Sequence, residues 1–193
     1  DFVTMDEIQT ITFSDSAEIQ AALKSYLEFG YTTVANVKLV SQAGLIIMGN
    51  ISLSKDKKPI RLKYFSELPE TFKESALLDR FHGFIEGWKL PRINEDLKIN
   101  GWTLNVEYFS EIMHELRDKP IYAAIVNDLL EVPAKADTRD ITAVKRIATA
   151  YLKLLFPNVN DTSEINTEDF KNYCLIPAIE KRQIIRRQIH LID

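Results

Sequence analysis

Two short, largely apolar runs, Phe-Val-Thr-Met at residues 2–5 and Leu-Ile-Ile-Met at 45–48, bracket a segment with the marks of a helix, and this most constrains the fold. Asp15 or Ser16 can cap that helix, its apolar residues recur at Ile19, Leu23, Tyr26 and Leu27, and Gly30 can end it. The second run shows no polar alternation, which is the pattern of a strand buried on both faces. Between helix and second run, residues 32–40 mix β-branched and polar side chains like a hairpin arm, turning near residues 41–44. An alternating α/β order is expected here.

Residues 54–63 form an expected basic loop and extended piece, and 74–81 a short helix ended by Gly83. Residues 84–93 read as extended, punctuated by Gly87 and Pro91. From about Asn105 only helical spacing remains. One helix is expected over 106–116, and a second begins at Pro120 and runs to Val132. A long third helix is capped by Asp137 or Thr138 and closed by Phe156-Pro157. A final helix opens with Thr167 and Asp169 and is interrupted by Pro177. The expected fold class is α/β followed by all-α, divided into residues 1–100 and 101–193.

An apolar content of 46% in 193 residues is enough for a sizeable core. The net charge of −4 argues against a surface that coats polyanions, while leaving room for local basic patches. A single cysteine, Cys174, excludes a disulfide framework and fits a reduced, cytoplasmic setting. No apolar stretch approaches the roughly 18 residues that span a bilayer, so no membrane partner is expected. The chain begins inside a strand pattern without Met, which suggests a piece of a longer protein.

The first strand runs into Asp6-Glu7. An acidic pair at the mouth of a sheet can hold Mg²⁺ through its water shell with the first carboxylate and polarise an attacking water with the second. An ordinary strand end is the competing explanation, and no G-x-x-x-x-G-K-[ST] phosphate loop accompanies the pair. Asn50 ends the second apolar run, where it could orient a water or simply make a turn. Arg80 ends a short apolar helix. It could neutralise phosphoryl charge across a subunit boundary, or pair with an acid of its own chain such as Glu86. Arg139 opposes the dipole in the first turn of the long helix, so it contacts either a phosphate or Asp137 or Asp140.

Other residues carry less. His82, His114 and His190 lack ligand spacing, and Cys174 reads as core. The cluster Lys55, Lys57, Lys58, Arg61 and Lys63 could touch phosphates, as could Lys181, Arg182, Arg186 and Arg187, although solvated faces explain both.

In chain order, Phe-Val-Thr-Met-Asp-Glu, Ile-Ile-Met-Gly-Asn, Leu-Leu-Asp-Arg-Phe and Thr-Arg-Asp-Ile-Thr resemble the Walker B strand, sensor 1, arginine-finger box and sensor 2 helix of an AAA+ ATPase. The longer string Ala-Leu-Leu-Asp-Arg-Phe-His-Gly-Phe-Ile-Glu-Gly-Trp-Lys-Leu-Pro-Arg is similar to the Lon-protease-like ATPases of BREX phage-defence systems. The resemblance implies the distal half of an AAA+ core, with a partial parallel sheet, plus a helical lid. It implies ATP and Mg²⁺ as cofactors of the intact protein, with Asp6 assisting the metal, Glu7 activating water and Asn50 positioning it. Arg80 would act in trans and Arg139 would sense the γ-phosphate in cis. It further implies a ring, expected to be a hexamer, acting on DNA, with residues 30–44 as an inserted hairpin.

Without a Walker A loop the piece alone is expected to be inactive. Two other functions stay open, a non-catalytic nucleic-acid or protein interaction module and the unfoldase of an ATP-dependent protease.

Overall fold

The computed structural model describes residues 2–34 and 36–192, and the chain forms two compact units. One comprises the residues up to Phe81 together with those from Gln183 onward, and the other is His82–Arg182.

In the first unit, β1 (Phe2–Met5) leads through a 3₁₀ turn into α1 (Ser16–Phe29). The Asp15 carboxylate caps α1 by accepting from Glu18 N at 2.9 Å, and Gly30 ends it at φ 73, as the sequence predicts. A hairpin follows, β2 (Tyr31–Val34) and β3 (Val37–Val40), antiparallel with Tyr31 opposite Val40. Its turn is at Asn36, φ 62, and not near residues 41–44. Asn tolerates the left-handed region that such tight turns require, so an inconspicuous Asn outcompetes the Ser-Gln-Ala-Gly stretch. Ser41 instead closes the base of the hairpin, its N–H donating to Gly30 O at 3.0 Å.

The strand β4 (Gly44–Ile47) then pairs in parallel with β1, Phe2 opposite Gly44 and Met5 opposite Ile47. A parallel partner reached through a helix and a hairpin is the crossover that parallel pairing demands. The expected burial on both faces is not found. Leu45 and Ile47 are half-buried, whereas Ile46 is 45% exposed. An apolar run reports what a strand can bury, not which neighbours cover it, and the sheet here has only two strands among the described residues.

Inside this unit Ile8, Phe72 and Leu77 form a buried centre, against which Met5, Leu23, Leu27 and Ile47 pack. Burying each such side chain contributes about 1.5–3 kcal/mol. The basic loop holds only one isolated bridge, Leu53 to Pro59, and the following helix, α2, is a single turn (Ser75–Leu78).

The second unit begins with irregular chain, including a 3₁₀ turn at Gly87–Lys89 where extended structure is expected. Gly87 favours a turn there over a strand. Its helices are α3 (Val106–Arg117), α4 (Ile121–Leu129), α5 (Thr138–Leu155) and α6 (Thr167–Asp169). A π-helical stretch, Phe170–Leu175, runs directly into α7 (Ile176–Ile192). Pro177 therefore does not interrupt the helix. Ile176 N donates to Lys171 O five residues back, and the wider turn accommodates a ring that cannot donate. The core comprises Tyr122, Ile125, Val126, Ala148, Leu152, Phe170, Cys174 and Ala178. From Gln183 onward α7 belongs to the first unit, where the Gln188 side-chain oxygen accepts from Tyr64 N at 2.6 Å and its amide donates to Leu62 O at 2.8 Å.

Candidate active site

Parallel pairing brings the C-terminal ends of β1 and β4 side by side, and the hydrogen-bonded ladder continues beyond both. Met48 N donates to Met5 O at 2.8 Å, and Ile8 N to Met48 O at 3.1 Å. The acidic pair therefore leaves the sheet beside the segment that carries Asn50.

The chain turns at once after β1. Glu7 sits at φ 48, ψ 46, left-handed and unusual for a residue with a long side chain. Its N–H donates to Asp6 Oδ1 at 2.8 Å, and its carbonyl accepts from Thr10 N and Thr10 Oγ1 at 2.8 and 2.9 Å. The following Ile8 is wholly buried and anchors the turn in the core. The backbone is thus forced by burial on one side, while both carboxylates remain exposed on the other. A left-handed non-glycine residue costs roughly 1–2 kcal/mol, and such strain concentrates at functional positions.

On the β4 side, Gly49 packs against this turn. A Cβ there would lie 2.7 Å from Gln9 Nε2 and 2.9 Å from Ile8 Cγ2, so only glycine fits. The Gln9 amide donates to the carbonyl of Asn50, tying the two strand ends together. Asp6, Glu7 and Asn50 thus share one end of the sheet. Sequence reasoning passed over Gln9 and Gly49; a glycine at the end of an apolar strand is the signal that could have found the second.

Arg80 lies in the same unit, in the turn after α2, whose Leu77 and Leu78 are buried. Its Nε lies 2.7 Å from Glu28 Oε2 of α1, and its Nη1 donates to Ala76 O. The acid of its own chain is Glu28 and not the Glu86 suggested by sequence; Glu86 pairs with Lys89. Next to it, Asp79 meets Arg186 Nη1 at 3.3 Å.

Arg139 belongs to the second unit, as an exposed residue in the first turn of α5. The two acids beside it each make a defined contact. Asp137 caps the helix, accepting from Arg139 N at 2.8 Å, and Asp140 Oδ1 lies 2.7 Å from Arg182 Nε. Arg182 is 2% exposed, so it is no part of a solvated basic face.

His82 Nε2 is 2.8 Å from Arg146 Nη1, which donates to it. Burial first, then the guanidinium groups of Arg146 and Arg182, push His82 down to about 4, so it is neutral near pH 7. Cys174 is wholly buried and burial pushes its thiol up to about 11, the state of a core residue and not of a nucleophile. Among the described residues no three His, Cys, Asp or Glu side chains gather as a metal cage, and no helix is long and apolar enough to cross a membrane.

Residues 1–193 match the family described as Lon-like protease BrxL-like, ATPase domain. The chain is 28% identical over 189 residues to the Lon-like protease BrxL of Escherichia coli O9:H4 (strain HS), covering 98% of this chain and 26% of that protein. It is 28% identical over 177 residues to the Lon-like protease BrxL of Bacillus cereus (strain H3081.97), covering 91% of this chain and 26% of that protein. It therefore spans about a quarter of the length of these curated relatives.

Proposed function

Because this chain belongs to the family of BrxL-like ATPase domains, we propose that it is the distal part of an AAA+ core with its helical lid, within an ATP-hydrolysing motor of phage defence. The observation that carries this reading is the shared sheet end, where an acidic turn forced into the left-handed region abuts the segment bearing Asn50.

The residues present suit a magnesium nucleotide. Asp6 and Glu7 are exposed, and among the described residues neither carboxylate is committed to an ion pair. Bound Mg²⁺ would offset phosphate charge and polarise the transferring phosphoryl group. Asp6 would hold such an ion, Glu7 would take the proton of the attacking water, and the Asn50 amide would orient that water. Arg80 would act on the nucleotide of a neighbouring copy, and Arg139 would sense the γ-phosphate in cis. This requires a ring, for which we propose a hexamer. The β2–β3 hairpin is the proposed DNA contact, with Lys38 Nζ 3.9 Å above the Tyr31 ring and Val37 and Leu39 exposed.

The test is Glu7→Gln in the full-length protein. Loss of the base should lower turnover by about 10²–10⁴-fold while ATP still binds. Wild-type turnover in the folded variant would sink the assignment.

A further inference from the structure

Arg80 is held in place from several directions within the first unit. Leu77 and Leu78, at 0% and 1% exposure, root the α2 turn in the core. Glu28 of α1 meets the guanidinium at Nε, and the Ala76 carbonyl accepts from Nη1. The adjacent Asp79, its side chain 13% exposed, is braced by Arg186. The Arg80–Glu28 pair is itself largely covered, with side chains 18% and 30% exposed. An arginine at a surface would sample many rotamers, whereas this one is confined, and a donor whose orientation is set beforehand needs no reorganisation as phosphoryl charge develops. The Ala76 contact engages one of the five donors of the guanidinium, and the Glu28 charge holds the group from its Nε side. The Glu28 contact is an ion pair without aligned hydrogen-bond geometry, so it can restrain the group and still let it be re-aimed.

We propose that Glu28 is a positioning residue for Arg80, with Arg186 as a second brace acting through Asp79. This rests on the reading of Arg80 as a group acting on a neighbouring copy's nucleotide. Glu28 itself touches no substrate. It confines the guanidinium so that the copies meet with the charge already aimed. Removing the Glu28 charge therefore slows the chemical step without weakening the binding of nucleotide in the subunit's own site.

Steady-state ATPase measurements on the full-length assembly test this. Glu28→Gln should lower kcat about tenfold with KM for ATP within twofold of wild type, and Glu28→Asp should recover part of the loss. The double variant Glu28→Gln/Arg80→Ala should be no slower than Arg80→Ala alone, because the two act through one contact, and the selective loss of kcat at constant KM separates positioning from a merely structural ion pair. Unchanged or raised kcat in Glu28→Gln, or losses that multiply in the double variant, would overturn the proposal. If Glu28→Gln does not fold, Arg186→Ala carries the same readouts, because the Arg186 side chain is 48% exposed. A folded Arg80→Ala with normal turnover is a different result: it removes the trans role of Arg80 itself, and the positioning role falls with it.

Discussion

The side-chain amide of Gln9 donates to the backbone carbonyl of Asn50, joining the turn after the first strand to the end of the fourth. Gly49 makes the approach possible, because any Cβ there would meet Ile8 Cγ2 at 2.9 Å and Gln9 Nε2 at 2.7 Å. The Gln9 tip could rotate away, but the wholly buried Ile8 could not do so without disturbing the core. Gly49→Ala should therefore destabilise the fold by about 1–3 kcal/mol, the usual cost of overpacking. In the full-length protein it should also lower turnover, because Asn50 moves relative to Asp6 and Glu7. Chemical denaturation together with an ATPase assay checks both, and a variant of wild-type stability would show that the strand ends are not tightly apposed.

Arg182 and Asp140 form a pair that is almost entirely covered on the arginine side, with 3% of that side chain exposed. Truncating the arginine removes a buried, well-packed side chain and takes a cation away from the half-buried Asp140 carboxylate. Arg182→Ala should cost about 2–3 kcal/mol, less than a fully buried pair because water screens Asp140, whereas Arg182→Met with Asp140→Asn should recover most of the loss. Thermal unfolding of the three proteins decides it. Equal losses in the single and double variants would mean that packing matters here and charge does not.

Stability should fall with acid earlier than carboxylates alone would make it fall. His82 is held near 4 in the fold, below its ordinary value of 6.5, so between these values the unfolded chain binds a proton that the folded chain refuses. The contribution is whole above about pH 6.5 and declines as pH drops towards 4, with a limiting slope of about 1.4 kcal/mol per unit for one group. His82→Gln should flatten the decline between pH 6.5 and 4 in denaturation midpoints. An unchanged profile would assign the acid sensitivity to other groups.

What could be read from the sequence was local. Asp15 and Gly30 delimit the first helix, and Asp137 opens the longest one, because a cap is a contact with a residue two or three positions away. The acidic turn was equally legible, since the strand and the two acids are contiguous. Coverage was not legible: Leu45–Ile47 looks the same in sequence whether two faces or one are packed. Nor were the partners of the charged residues. Glu28 with Arg80, Asp140 with Arg182 and Asp79 with Arg186 are separated by tens of residues, and no spacing rule links them. Pro177 misled for a related reason, since its effect depends on whether the preceding turn can widen.

The contact of Gln188 with the backbone of Leu62 and Tyr64 joins positions 126 and 124 residues apart. On the ribosome the early strands and the α2 turn emerge long before the segment that satisfies those backbone groups. The whole intervening helical unit is synthesised in between. Completion of the first unit must therefore wait for the last helix, so a nascent chain stalled before Gln183 would hold a finished insert within an unfinished host.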